Sequence, residues 1–131
     1  MASRIKAINA YMPSVKLGKR AEMDDLVKFI ARSTGLNEST ISQVLIELRD
    51  TVVFFNLRGE PVQLEGLGTY TPTVGLDGVI EVGHRADTYI KNQLNMLNAF
   101  KGEIVRRENI GKTGDELVGL WNTDHADDPV A

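Results

Sequence analysis

The side chains here that could do chemistry are cations and hydroxyls, and the chemistry they suit is a grip on phosphate. Arg4, Lys6, Lys16, Lys19 and Arg20 crowd the first twenty residues, while Arg58, Arg85 and Lys91 surround a glycine-rich middle. Arg106 and Arg107 form a further pair. Thr71 and Thr73 lie two apart between them, and hydroxyls can donate to phosphate oxygens. From this set Lys16, Lys19, Arg20, Arg58, Thr71, Thr73, Arg85 and Lys91 are the candidate nucleic-acid contacts. Such contacts position a protein on a backbone and read little sequence. The competing account makes each of them a solvated surface group.

Other chemistries find less to work with. His84 and His125 are the two histidines, and neither stands in H-x-x-x-H or H-x-E spacing. Asp124-His125-Ala126-Asp127-Asp128 could hold a hard cation, but an acidic tail is more simply solvated. The glycines fit neither G-x-G-x-x-G nor the Walker pattern. Ser39, Thr40 and Ser42 open a helix, where capping accounts for them. The chain therefore reads as no enzyme, with no catalytic residue, metal ligand or cofactor.

Its 131 residues bound one domain with modest extensions. With 42% apolar and 25% charged residues, composition is that of an ordinary globular protein with a core. The absence of cysteine excludes disulfides and thiolate metal sites and makes a reducing cytoplasm the default compartment. The first fifteen residues lack the apolar run of a secretory signal, and no stretch is long enough to span a membrane. Net charge is −3 but uneven: +4 over residues 1–36, −5 over 37–82, +2 over 83–111 and −4 over 112–131. A duplex binder should show a basic footprint, and this chain has one only locally.

The elements that must position these groups turn on Gly59 to Tyr70. Gly59 closes a long helix, Val62 and Leu64 alternate with Gln63 and Glu65, and Gly66-Leu67-Gly68 allows a sharp corner. Beyond it Tyr70, Pro72 and Val74 take one face of a strand and Thr69, Thr71 and Thr73 the other. Asp77-Gly78 marks a tight hairpin whose central residues can both adopt positive φ, leading to a strand at 79–82. Upstream, a helix over 22–34 stops at Gly35, and Asn37 caps a second over 38–57. Ile41, Val44, Leu45, Leu48, Val52 and Phe55 make its apolar stripe. Val52-Val53-Phe54-Phe55 then circles the whole helix, more than one face can bury. Burial by the chain's own sheet is one outcome; burial against a second subunit is favoured, because two short helices and a small sheet give little cover. Leu45, Leu48, Val52, Val53, Phe54 and Phe55 are the candidate dimer interface.

Residues 1–21 read as an extended basic arm or edge strand, with a flexible terminus as the alternative. Residues 22–97 form the main domain, including a third helix at 86–97. Residues 98–131 are an extension with a brief strand at 102–106, a helix opened by the Thr113-Gly114-Asp115-Glu116 capping box, and an acidic tail expected to be mobile.

The order Thr34-Gly35-Leu36, long helix, Gly59-Glu60, Val62-Gln63-Leu64, Gly66-Leu67-Gly68-Thr69-Tyr70 resembles the HU/IHF family of bacterial nucleoid DNA-binding proteins, without a gap from Asp25 to Tyr70. The longer N-terminus, short hairpin and C-terminal extension look like its Bacteroides-type branch. The resemblance implies an α+β, IHF-like fold: a helical pair with a small antiparallel sheet and a shortened β-arm, intertwined as a homodimer. It implies DNA as partner, in the bacterial nucleoid. The family's arm is long, Arg-rich and tipped with Asn-Pro. Residues 71–82 here hold no Lys, no Arg and no tip proline. Fold and pairing thus carry over, whereas wedge-and-bend binding does not. An HU-like fold used for protein assembly, without DNA, is the rival reading.

Overall fold

The computed structural model describes all 131 residues, as five helices, five strands and a 3-10 turn of the α+β class. They divide into two compact units: Arg20–Phe100, and Met1–Lys19 together with Lys101–Ala131.

In the unit 20–100, helix α2 spans Met23–Thr34 and α3 spans Glu38–Leu57 (α1, Arg4–Tyr11, and α5, Gly114–Asp124, belong to the other unit). The Glu22 N–H donates to Asp25 Oδ2 at 3.0 Å, and Asp24 and Asp25 complement the positive end of the α2 dipole. Gly35 ends α2 at φ 76°, and Asn37 Oδ1 starts α3 by accepting from Ser39 N–H at 2.8 Å. Past Gly59, at φ 77°, the chain enters a sheet ordered β2-β3-β4, with β2 Val62–Leu64, β3 Gly68–Val74 and β4 Ile80–Ala86, antiparallel throughout.

In the double-glycine corner Gly66 takes a left-handed φ of 76°, and Gly68 is there for steric reasons. A Cβ on Gly68 would lie 2.5 Å from the Arg85 carbonyl oxygen and 2.6 Å from His84 Nε2, inside any real contact distance. The hairpin differs in detail from expectation. Gly78 N–H donates to Gly75 O at 3.0 Å, so Leu76 and Asp77 are the central residues and Gly78 alone takes positive φ, at 81°. Asp77 instead uses its carboxylate, Oδ1 accepting from Val79 N–H at 3.0 Å. Strand β4 also runs to Ala86, past the expected end at 82, because pairing with β3 continues to Gly68. Helix α4 is correspondingly short, Thr88–Leu94, capped by Asp87; Asn95 ends it, a poor helix former.

In the other unit, α1 Arg4–Tyr11 packs on α5 Gly114–Asp124, and β1 Ser14–Lys16 pairs with β5 Glu103–Val105. The extended or flexible reading of the N-terminus is corrected for residues 4–11. Ser3 Oγ caps a helix by accepting from Lys6 N–H at 3.1 Å, and Ala7 is fully buried, as Leu117 and Trp121 of α5 are nearly so. Ile5, Ala7, Asn9 and Tyr11 alternate by accident, since α1's partner lies a hundred residues away. Pro13 forces Met12 extended, and an edge strand does follow. The acidic tail is pinned, not loose: Trp121 Nε1 donates to Asp128 O at 2.8 Å and Val130 N–H to Asn122 Oδ1 at 2.8 Å. Buried Asn109 donates through Nδ2 to Tyr11 O at 2.7 Å.

Tyr11 also donates its hydroxyl to Asp124, and this bond, then desolvation and the nearby negative charge, raise the phenol pKa above its ordinary 10.0. A raised folded pKa stabilises the protonated form. The contribution is complete below pH 10 and disappears as pH climbs through the folded value. Alkaline unfolding followed by the fluorescence of Trp121, the chain's one tryptophan, should show it. Tyr11→Phe should abolish that dependence above pH 10; an unchanged alkaline profile would remove the bond from the account.

Candidate nucleic-acid interface

Register decides which predicted side chains share a surface. In β3 and β4, Thr69 stands opposite Arg85, Thr71 opposite Gly83 and Thr73 opposite Glu81, so these alternate residues share one face of the hairpin. Gln63 of β2, opposite Thr69, joins them. Tyr70, Pro72 and Val74 take the other face, with His84, Val82 and Ile80. That second face looks onto α3, since Asn56 Nδ2 donates to the Tyr70 carbonyl at 3.4 Å and Tyr70, Pro72 and Val82 line a groove with α3 side chains. The threonine face is therefore the outer one. Thr71, Thr73 and Arg85 come together there as a shallow donor row, bearing one cation and one carboxylate, Glu81.

The other predicted cations are on neither strand of the hairpin. Lys16 and Lys19 belong to the unit built from the termini, and Lys16 lies 3.7 Å from Glu103. Arg20 pairs with Glu22 at 3.2 Å, and Arg58 with Glu60 at 3.3 Å while covering the Phe54 ring at 5.6 Å. Lys91 sits on α4 without an ion pair. Within 20–100 the count is seven cations against eleven carboxylates. Lys28 and Arg49 are also paired, at 3.0 Å each, so the unit's unpaired cations are Arg32, Arg85 and Lys91. The hydrogen bond from Lys28 to Asp24, reinforced by that charge, raises the ammonium pKa above 10.5. Exposed pairs of this kind are worth little to stability, yet they take charge away from any phosphate partner.

The greasy turn of α3 is open. Val53 and Phe54 remain 52% and 54% exposed in the single chain, and Phe55 37%. Beside them runs an apolar groove of about 1020 Å³, walled by Leu45, Leu48 and Val52 of α3 and by Leu64, Tyr70 and Val82 of the sheet. Val27 and Ile41 are the only large apolar side chains this unit buries. Own-chain burial of the circling quartet is thus not what the structure shows.

Two features were missed from sequence. Thr69 completes the donor row and was visible in the same alternation. Arg32 ends α2 unpaired, and only the pattern of ion pairs singles it out. His84 lies tilted against Tyr70 with ring centroids 4.5 Å apart, His125 stacks on Trp121 at 3.7 Å, and no three His, Asp or Glu converge to hold a metal. No helix is long and apolar enough to cross a membrane.

Comparison with known proteins gives a family. Residues 5–94 match the family described as an HU domain fused to wHTH, Ig, or glycine-rich motif. Among solved structures, an HU mutant from Thermotoga maritima aligns at 15% identity and a TM-score of 0.49, covering 56% of this chain and 99% of that one. No curated protein matches.

Proposed function

The chain belongs to this family of HU domains fused to other motifs, and on that premise we propose that it binds duplex DNA weakly and without sequence preference, as a homodimer in the bacterial nucleoid. The observation that carries the reading is the outer hairpin face, where the exposed Thr71, Thr73 and Arg85 share one side with the half-buried Thr69. Hydroxyl and guanidinium donors in a row suit phosphate oxygens, and they track a backbone without distinguishing bases. Arg32 and Lys91 supplement Arg85, and Lys19 and Arg20 of the N-terminal segment are further candidates. Pairing through α3 would double the set. The Bacteroides-type branch remains part of this proposal, drawn from the longer N-terminus and short hairpin.

A second reading has a specific observation behind it. With eleven carboxylates to seven cations, four of those cations already paired, the unit's field favours a protein partner over a polyanion. In that case the HU-like unit is an assembly module. Gel-shift titration of duplex DNA at two salt concentrations separates the two. DNA binding should weaken as salt rises, and Arg85→Ala should lower the slope by about 0.9 per phosphate lost, hence about 1.8 for a dimer. Replacing Lys19 and Arg20 with Ala should flatten it further. Absence of any shift at low ionic strength would leave the assembly reading in place.

A further inference from the structure

The three-stranded sheet leaves one long edge free. Strand β4 is outermost in the order β2-β3-β4, seven residues long and exposed along its whole length. Natural sheets blunt such edges with lysine, proline, a bulge or a covering element. Between Ile80 and Ala86 there is no lysine, no proline and no break in register.

Pro72 reveals which backbone groups the edge offers. It has no N–H and lies opposite Val82, so that pair cannot exchange ladder hydrogen bonds. By alternation Glu81, Gly83 and Arg85 turn their N–H and C=O groups inward to β3. Ile80, Val82, His84 and Ala86 turn theirs outward, to the open side, where no hydrogen bond meets them.

We infer that β4 pairs antiparallel with β4 of a second copy about a two-fold axis at Gly83, joining two three-stranded sheets into one of six strands. In this register Val82 and His84 exchange main-chain bonds across the axis, and Ile80 and Ala86 do so at the ends. Glu81 then stands opposite Arg85 of the second copy, and Arg85 opposite its Glu81. Both lie at narrow, non-hydrogen-bonded positions, where side chains approach closest. Gly83 meets Gly83 at the centre with nothing to obstruct it. Other registers lose the match: an axis at Val82 or His84 keeps the main-chain pattern but sets Glu81 opposite Gly83 or Asp87, while an axis at Glu81 or Arg85 sets like charges against each other. Charge complementarity, full overlap of seven residues and the outward main-chain groups thus select one occupant, another copy of this chain. The other edge, β2, has only three residues to offer.

This inference rests on neither the DNA contact nor the α3 seam. It does compete with DNA for Arg85, because pairing sets Glu81 of the second copy against that guanidinium. If α3 also pairs, two different self-complementary surfaces would link chains into linear arrays.

The chain has no cysteine, so Gly83→Cys supplies a single reporter. Its Cβ would meet only Thr71 O, at an ordinary 3.9 Å. Residues facing at a narrow position have Cα atoms about 4.5 Å apart, within disulfide reach. Mild oxidation of the full chain should therefore cross-link Gly83→Cys almost completely, while Thr73→Cys, one strand inward, stays uncross-linked. Glu81→Arg alone should weaken concentration-dependent association in sedimentation about tenfold, as should Arg85→Glu alone; the double exchange should restore it. Cross-linking at 83 no greater than at 73 would overturn the pairing. Cross-linking at 83 with Glu81→Arg without effect, or with no rescue by the double exchange, would overturn this register.

Discussion

A chain carrying Val53→Asp and Phe54→Asp is expected to lose its α3-mediated partner and most of the stability of residues 20–100. Alone, that unit buries only Val27 and Ile41 among its large apolar side chains. The apolar wall formed by Leu45, Leu48 and Val52 with Tyr70 and Val82 otherwise faces water. Deleting one buried phenylalanine costs about 3–5 kcal/mol, and a dimer loses it twice. Two carboxylates on each side of the seam add desolvation and repulsion. Light scattering should return a smaller mass than the parent chain, and thermal unfolding should shift down by tens of degrees or lose its cooperative transition. A double variant that keeps the parent mass and melting point would show that this turn of α3 is not the seam. Phe54→Leu, which keeps the side chain apolar, should retain pairing and so separates loss of contact from misfolding.

The second large effect concerns the other unit. Trp121→Ala should unfold the assembly of α1, β1, β5 and α5 as a whole while sparing residues 20–100. The tryptophan is 6% exposed, holds the tail through Nε1 to Asp128 O at 2.8 Å, stacks on His125 and lies under Lys6 Nζ at 5.3 Å. Removing it costs about 3–5 kcal/mol, comparable to the whole stability of so small a unit. Hydrogen exchange should show amides of Arg4–Tyr11 and Gly114–Asp124 losing protection together, with those of α2 and α3 unchanged. Persistent protection in α1 would mean that its order does not depend on α5.

The contrast between the two units explains how much could be read beforehand. Helices α2 and α3 and the corner at Gly66-Leu67-Gly68 were legible because their signals are local: Asn37 and Gly35 at helix ends, the i, i+3, i+4 stripe from Ile41, and alternation in Thr69–Val74. Helix α1 was not, because Ala7 is explained only by Leu117 and Trp121, far along the chain. The length of β4 was hidden for a related reason. Gly83, His84 and Arg85 have little strand character, and pairing with Thr69 to Thr71 holds them extended. The tail read as mobile from its acidity, while the bonds from Trp121 and Asn122 that secure it are tertiary. At the candidate interface the residue types were legible but the grouping was not. Ion pairs such as Arg58 with Glu60 occupy several of the proposed cations, and of that set only Arg85 is on the hairpin with the threonines.

The central claim is that α3 joins two copies, and the most direct measurement is the mass of the Glu81→Arg chain in dilute solution, where pairing through the β4 edge is weakened both by that substitution and by dilution. Pairing through Val53 and Phe54 predicts twice the 14.5 kDa of one chain, falling to a single chain when Phe54→Asp is added. A mass of one chain for Glu81→Arg itself would contradict it.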